Sequence, residues 1–343
     1  MSATSTNPLG ARDLEMLPKV ELHVHLEGTI DAATARLLAE RHGEPVDEVL
    51  DLPDGAYPTR YRDFPHFLRT FLATTRQVRT PDDLALVAAN FARTQAEQHV
   101  RYTEVTFTAL THVAAGMEPA AMWQALRDGF AEAPDARIAL IVDHVRDLGV
   151  DASHRTLRLV ADADAPIVAF GLTGTEGSVD EREFAHLRAA ATELGLGVVV
   201  HAGESGSPAN IRAALDDLGA DRIAHGIAVV ADDALLSRVV RTKVPFDVCP
   251  SSNVATGSIP SLEQHPFTRM WEAGVNVTVN SDDPPFFATT LSDELQHVTR
   301  LAALTRRDVA ELQRRAIRSS FAPAALRGET LARIDAWDAT SSL

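Results

Sequence analysis

KVELHVHL (19–26) alternates apolar Val20, Leu22 and Val24 with Glu21, His23 and His25, and its last residues carry chemistry. Alternation over so short a run is the signature of a strand, and residues two apart on a strand point the same way. His23 and His25 therefore face one point beyond the strand's end. Seven further runs read as strands: VRYTEVTF (100–107), RIALIVD (137–143), PIVAFGL (166–172), LGVVVH (196–201), RIAH (222–225), VPFDVC (244–249) and VNVTVNS (275–281). Amphipathic stretches such as 81–98, 118–132, 178–194 and 231–240 lie between them. Strands alternating with helices imply parallel βαβ units, and eight strands close a barrel. The expected fold is α/β, a TIM-type (β/α)8 barrel occupying 1–343 as one domain, with a helical lid inserted after strand 1.

The insertion is expected over 29–99, where the connection is too long for one crossover helix. It holds a helical stretch near 31–43, the Pro/Gly-rich LPDGAYP, and YRDFPHFLRTFLATTRQV. Phe64, Phe67, Leu68 and Phe71 fall at i, i+3, i+4 and i+7, one helical face. That face packs on the barrel, covers an apolar ligand with part of its length, or does both, and Phe67 and Phe71 are its candidate ligand contacts. Residues 1–12 read as a disordered tail. The chain of 343 residues carries a formal charge of −16, which disfavours nucleic acid as a partner. No apolar run approaches the roughly 20 residues of a membrane span. The single cysteine, Cys249, excludes an internal disulfide and any Cys-rich zinc site, and suits a reducing cytoplasm.

The informative polar residues fall at the C-terminal ends of the expected strands. His23 and His25 end strand 1, His201 ends strand 5, His225 ends strand 6, and Asp282 and Asp283 follow strand 8. One histidine at a strand end is commonly structural, but four with two carboxylates on one rim point to a metal. Three imidazoles and one carboxylate without thiolate suit a single Zn²⁺ with one position left for water, whose pKa such a site lowers to about 7. His23, His25, His201 and Asp282 are the expected ligands. A second metal bridged by a carbamylated lysine is not expected, since no lysine lies near the end of strand 4. Glu204, three residues after His201, is read either as a helix-cap carboxylate or as a proton donor beside the metal. His225 is read as the group that orients or deprotonates the water.

Six ordered segments, PKVELHVHLEG, VAFGLTGTE, HAGE, RIAHG, CPSSNVATG and VNVTVNSDDPP, make the chain resemble the adenosine deaminase family of the metal-dependent amidohydrolases. The resemblance spans about Pro18 to the end of the last strand. It implies one zinc on His23, His25, His201 and Asp282, and hydrolytic deamination of a small-molecule 6-aminopurine. Glu204 would protonate ring N1, His225 would assist the water, Asp283 would bond N7, and the backbone N–H of Gly174 would reach N3. Hydroxide would then attack C6, ammonia would leave, and a 6-oxo purine would form.

The sequence departs from the family where substrate choice is set. Typical adenosine deaminases carry HxHLDG with the Asp directed at the ribose 5′-hydroxyl; here the longer Glu27 stands in HVHLEG, as in adenine deaminases and in relatives that deaminate 6-aminodeoxyfutalosine. The segment after strand 8 reads SDDPPFFATT rather than the SDDPAYFGGY usual in adenine deaminases, and Thr106 stands where adenosine deaminases have an Arg. The balance favours a 6-aminopurine nucleoside, adenosine or 6-aminodeoxyfutalosine, over free adenine. Glu27 either reads that substrate or braces the loop after strand 1. A barrel phosphoesterase would need further metal ligands or a basic phosphate cluster, and a non-catalytic purine binder would lack Glu204 or a ligand; neither pattern is seen.

Overall fold

The computed structural model describes residues 9–205 and 207–340. Eight parallel strands follow one another around one sheet in chain order: β1 (Lys19–His25), β2 (Val100–Phe107), β3 (Arg137–Val145), β4 (Ile167–Thr173), β5 (Gly197–Ala202), β6 (Arg222–His225), β7 (Pro245–Val248) and β8 (Asn276–Val279). The circle closes where Val24 of β1 bridges to Asp282 just beyond β8. There His25 N–H donates to the Asp282 carbonyl at 2.9 Å, and Asp282 N–H donates to the His23 carbonyl at 3.1 Å. The strands lie within two residues of their expected bounds, and nearly all of their residues are buried or half-buried.

The barrel interior is layered. Ile141, Ala169, Val199 and Ala224 form one apolar layer, with Phe321 against it. Arg222 is fully buried and meets Glu104 at 2.7 Å and Asp247 at 2.6 Å. Tyr102 donates its hydroxyl to Glu104 at 3.0 Å, and Thr278 donates to Asp247 at 2.7 Å. Buried charges are tolerated only when paired and hydrogen-bonded, as they are in this cluster.

Between β1 and β2 the chain forms helices Ala32–Arg41, Phe64–Thr75 and Pro81–Glu97. The last of these belongs to the outer ring rather than to the insertion. It packs on β2 and on helix Pro119–Ala131, burying Leu84, Val87, Ala88 and Phe91. The expected insertion 29–99 therefore shrinks, because periodicity cannot say which of three amphipathic runs is the crossover helix. Helix Phe64–Thr75 starts where Asp63 caps the His66 N–H at 2.8 Å. Its Phe67 is buried among Tyr57, Tyr61, Phe286 and Phe287, with Phe64 and Phe71 packed against the cluster. Leu68 is 36% exposed and does not share that face.

The chain is helical from Ala11 to Met16, so the tail expected over 1–12 ends earlier; residues 1–8 lie outside the described residues. Leu14 and Leu17 anchor this N-terminal turn in the core, and Trp337 donates its indole N–H to the Asp13 carbonyl at 3.2 Å. Among the described residues no helix is long and apolar enough to cross a membrane.

Candidate active site

The register of β1 against β2 slips between Glu21 and Val24, the stretch that carries His23, as at a bulge. A bulge leaves backbone donors without a strand partner. Here the Asn280 side chain accepts from the N–H groups of Leu22 at 2.7 Å and His23 at 3.2 Å. His201 ends β5 with its carbonyl held at 2.6 Å by the buried Arg146, which also pairs with Glu181 at 3.0 Å. Asp282 and His225 both have left-handed backbones, φ 64° and 59°. Such values in non-glycine residues are uncommon and concentrate at functional sites.

These elements bring four imidazoles and Asp282 together. Ring centroids of His23 lie 5.4 Å from His25, 4.7 Å from His201 and 4.7 Å from His225. One Asp282 oxygen stands 3.2 Å from His23 Nε2 and 3.3 Å from His25 Nε2. Its other oxygen accepts from the Ser252 hydroxyl at 2.6 Å. Ligand atoms of His23, His201 and His225 converge within 4.8 Å, as do those of His23, Cys249 and Asp282. Both ring nitrogens of His23 and Nδ1 of His201 are buried without a hydrogen-bond partner among the described residues. Buried imidazole nitrogens left unpaired around a carboxylate suit a cation that takes nitrogen and oxygen donors. Cys249 is a poor ligand, since burial pushes its thiol well up and holds it protonated.

His225 is held in one tautomer by a chain of hydrogen bonds that begins at a backbone amide. Phe267 N–H donates to His265 Nδ1 at 3.1 Å, so His265 Nε2 carries the proton and donates to Asn253 Oδ1 at 3.1 Å. The Asn253 amide nitrogen then faces His225 Nδ1 at 3.4 Å as a donor. His225, driven down to about 3 by burial and so neutral, is left with its proton on Nε2. That N–H points toward Glu204 at 3.7 Å and Asp282 at 3.8 Å. Of the two readings of His225, this arrangement favours orienting a water over deprotonating it.

Glu204 faces the mouth beside His225. Burial first, then the charges of Asp282 and Glu176, push its carboxyl up to about 8. Glu176, which the sequence reading passed over, accepts the backbone N–H groups of Gly203 at 2.6 Å, Glu204 at 2.7 Å and Ser205 at 3.1 Å. It fixes the turn carrying Glu204 and displaces the helix-cap reading, for Glu204 itself caps nothing among the described residues. The signal was legible in VAFGLTGTE, whose final carboxylate lies three residues past a strand end, where the other site residues also cluster.

Asp283 is buried, with Oδ1 unpartnered among the described residues, and burial followed by the neighbouring Asp282 raises its carboxyl well above the usual range. Gly28 is required beneath it, since a Cβ there would lie 1.8 Å from Asp283 Oδ1. Gly174 follows β4 with φ 88°, and its carbonyl faces Arg146 at 3.4 Å. Glu27 is buried, and its Oε1 accepts from Thr108 N–H at 3.0 Å and His112 Nε2 at 3.1 Å. It therefore braces the end of β2 with one oxygen. Phe67 and Phe71 pack over the turn Pro284–Phe287 that follows Asp283, with Phe67 5.1 Å from Phe287 and Phe71 5.7 Å from Phe286 between ring centroids. These rings pack on the loop that leaves the site.

A family model described as "Adenosine deaminase" matches residues 18–337. The chain is 35% identical to an aminodeoxyfutalosine deaminase of Streptomyces avermitilis, covering 94% of this chain and 92% of the relative. It is 36% identical to an adenine deaminase of Streptomyces coelicolor, covering 94% of this chain and 96% of the relative. Among solved structures, that of adenine deaminase from Arthrobacter aurescens superposes with a TM-score of 0.87 at 30% identity, covering 94% of this chain and 99% of that one.

Proposed function

The chain belongs to the adenosine deaminase family, and on that premise we propose that this hydrolytic aminohydrolase removes the 6-amino group of a purine nucleoside, adenosine or the nucleoside-like 6-aminodeoxyfutalosine, as ammonia. The observation that carries the reading is the raised Glu204 carboxyl, a proton donor at neutral pH, beside a cluster of imidazoles and one carboxylate. His23, His25, His201 and Asp282 would hold one zinc, which supplies a water of lowered pKa when bound. The remaining steps belong to the chain. Glu204 delivers its proton to N1, so that C6 can become tetrahedral as water adds; of the two protons the water gives up, one passes to the amine so that it departs as ammonia and the other restores Glu204, leaving the 6-oxo purine. His225 Nε2–H orients that water, Asp283 with its raised carboxyl donates to N7, and the Gly174 N–H meets N3. The fixed Glu204 turn and the braced β1 loop keep these groups in place before substrate arrives, which is how positioned donors contribute most to rate.

A second reading, free adenine, is supported by the Streptomyces coelicolor relative and the Arthrobacter structure. Ultraviolet assays with adenine, adenosine, deoxyadenosine and 6-aminodeoxyfutalosine separate the two. The nucleoside reading expects kcat/KM on one of the 9-substituted compounds to exceed that on adenine by at least about tenfold. A clear preference for adenine overturns it, and inactivity on all four overturns the deaminase reading of this site.

A further inference from the structure

Asp143 plays no part in the steps above. Ile141, two residues earlier on β3, lies in the apolar layer inside the barrel, so Asp143 points inward one layer nearer the mouth. It is 1% exposed. Its Oδ2 accepts from the Thr173 hydroxyl at the end of β4, the Thr108 side chain lies close enough to favour its charged form, and its Oδ1 makes no hydrogen bond of good geometry among the described residues. Burial pushes its carboxyl up, opposed by the Thr173 hydroxyl and the charge of His25 and reinforced by the charge of Glu27. Gly171 beside it carries no side chain to fill the space; a Cβ there would lie 2.9 Å from the Asp143 Cβ. Glu27 Oε2 is likewise buried and unpartnered. Buried carboxylate oxygens without donors are costly, and two of them at the mouth ends of β1 and β3, with β2 between, form an acceptor surface built for a ligand that brings donors.

The order of strands says which part of a purine meets them. This step rests on the proposed function. With N7 at Asp283 after β8, N1 at Glu204 after β5 and N3 at Gly174 after β4, the purine perimeter runs in the same sense as the barrel. After N3 the next edge atom able to carry a group is N9, and the next strands are β3 and β2. We propose that the ends of β3 and β4 form a hydroxyl-recognising subsite in which Asp143, held by Thr173, accepts a hydrogen bond from a hydroxyl of the 9-substituent. Asp143 is then a specificity residue, Thr173 positions it, and the substrate is a 6-aminopurine bearing a hydroxylated sugar.

The test uses the full-length, zinc-replete enzyme with the best nucleoside of the panel, with 9-methyladenine, which lacks both hydroxyls and an N9–H, and with adenine. Hydrogen bonds to charged groups correspond to roughly 10- to 100-fold. Asp143→Ala should lower kcat/KM on the nucleoside by about that factor and change 9-methyladenine by less than about threefold. Asp143→Asn, which keeps volume and removes the charge, should show the same pattern with a smaller loss and guards against a folding defect. Equal losses on both substrates, or no loss on the nucleoside, overturn the proposal. A loss confined to adenine also overturns it and assigns Asp143 to the N9–H of the free base. A thermal shift with inosine reads binding apart from turnover, and should shrink in Asp143→Ala while that with 9-methylhypoxanthine does not. Wild-type enzyme inactive on every purine would instead count against the proposed function, and the thermal shift would still decide for or against Asp143.

Discussion

Glu204 keeps its proton because burial and two neighbouring carboxylates oppose its charge, so its acid form persists up to about pH 8. The sign follows directly: the donor is present below that pH and lost above it. The rate should fall at alkaline pH as Glu204 loses its proton, measured as kcat against pH, and the charge of a bound zinc on Asp282 should draw that fall below the value of about 8 for the metal-free site. Glu204→Gln should cost about 10²- to 10⁴-fold in kcat with zinc retained. A near-normal rate in that variant would return Glu204 to a structural role. At this scale the sequence displayed the donors that sit at strand ends, His23, His25, His201, His225, Asp282 and Asp283, because a strand's end is where a barrel exposes chemistry. It did not display residues that act through a fold contact. Glu176 works through the amides of Gly203, Glu204 and Ser205, and Asn253 with His265 through the His225 ring. Nothing in local spacing links residues on β4, β6 and the segment after β7.

Helix Phe64–Thr75 shows what is gained and lost at the level of elements. Its periodicity was plain, but its placement depended on the Phe286–Phe287 turn more than two hundred residues away, a pairing no window of sequence contains. Phe67 is buried in that cluster, and its truncation should cost about 3–5 kcal/mol, the usual figure for a buried Phe→Ala, read as a fall in Tm. Phe71 is half-buried, and Phe71→Ala should lower Tm less than Phe67→Ala does. Should Phe71 also touch substrate, its KM would rise by a larger factor than kcat falls; unchanged kinetics in folded protein would limit it to packing. The ring helix Pro81–Glu97 was misread for a related reason. Its apolar stripe does not set it apart from those before it, and its contacts with β2 and helix Pro119–Ala131 identify it.

For the molecule as a whole, one buried acid outside the site gives a handle on pH. Glu294 accepts from Ser251 N–H at 3.1 Å and from the Thr289 hydroxyl at 2.5 Å, and burial raises it to about 7 from an ordinary 4.5. A raised acid binds its proton more tightly folded than unfolded, so its contribution is full below about pH 4.5 and is lost as pH climbs to about 7. Tm should decline over that window, and Glu294→Gln should flatten the decline; an identical slope in both proteins would remove Glu294 as its cause. The barrel's closure has a consequence of a mechanical kind. Val24 and Asp282, the pair that joins first strand to last, sit within the same few residues that gather His23, His25 and Asp282. A zinc held there would act as a clasp across the one joint of the barrel whose halves are most distant along the chain, and joints of that kind form late and open early. Elemental analysis should find one zinc per chain. Chelation should abolish turnover while leaving the barrel folded, and hydrogen exchange should quicken at the His25 and Asp282 amides well before it does in β3 or β4. The cylinder, deprived of its clasp, would loosen along one line rather than melt.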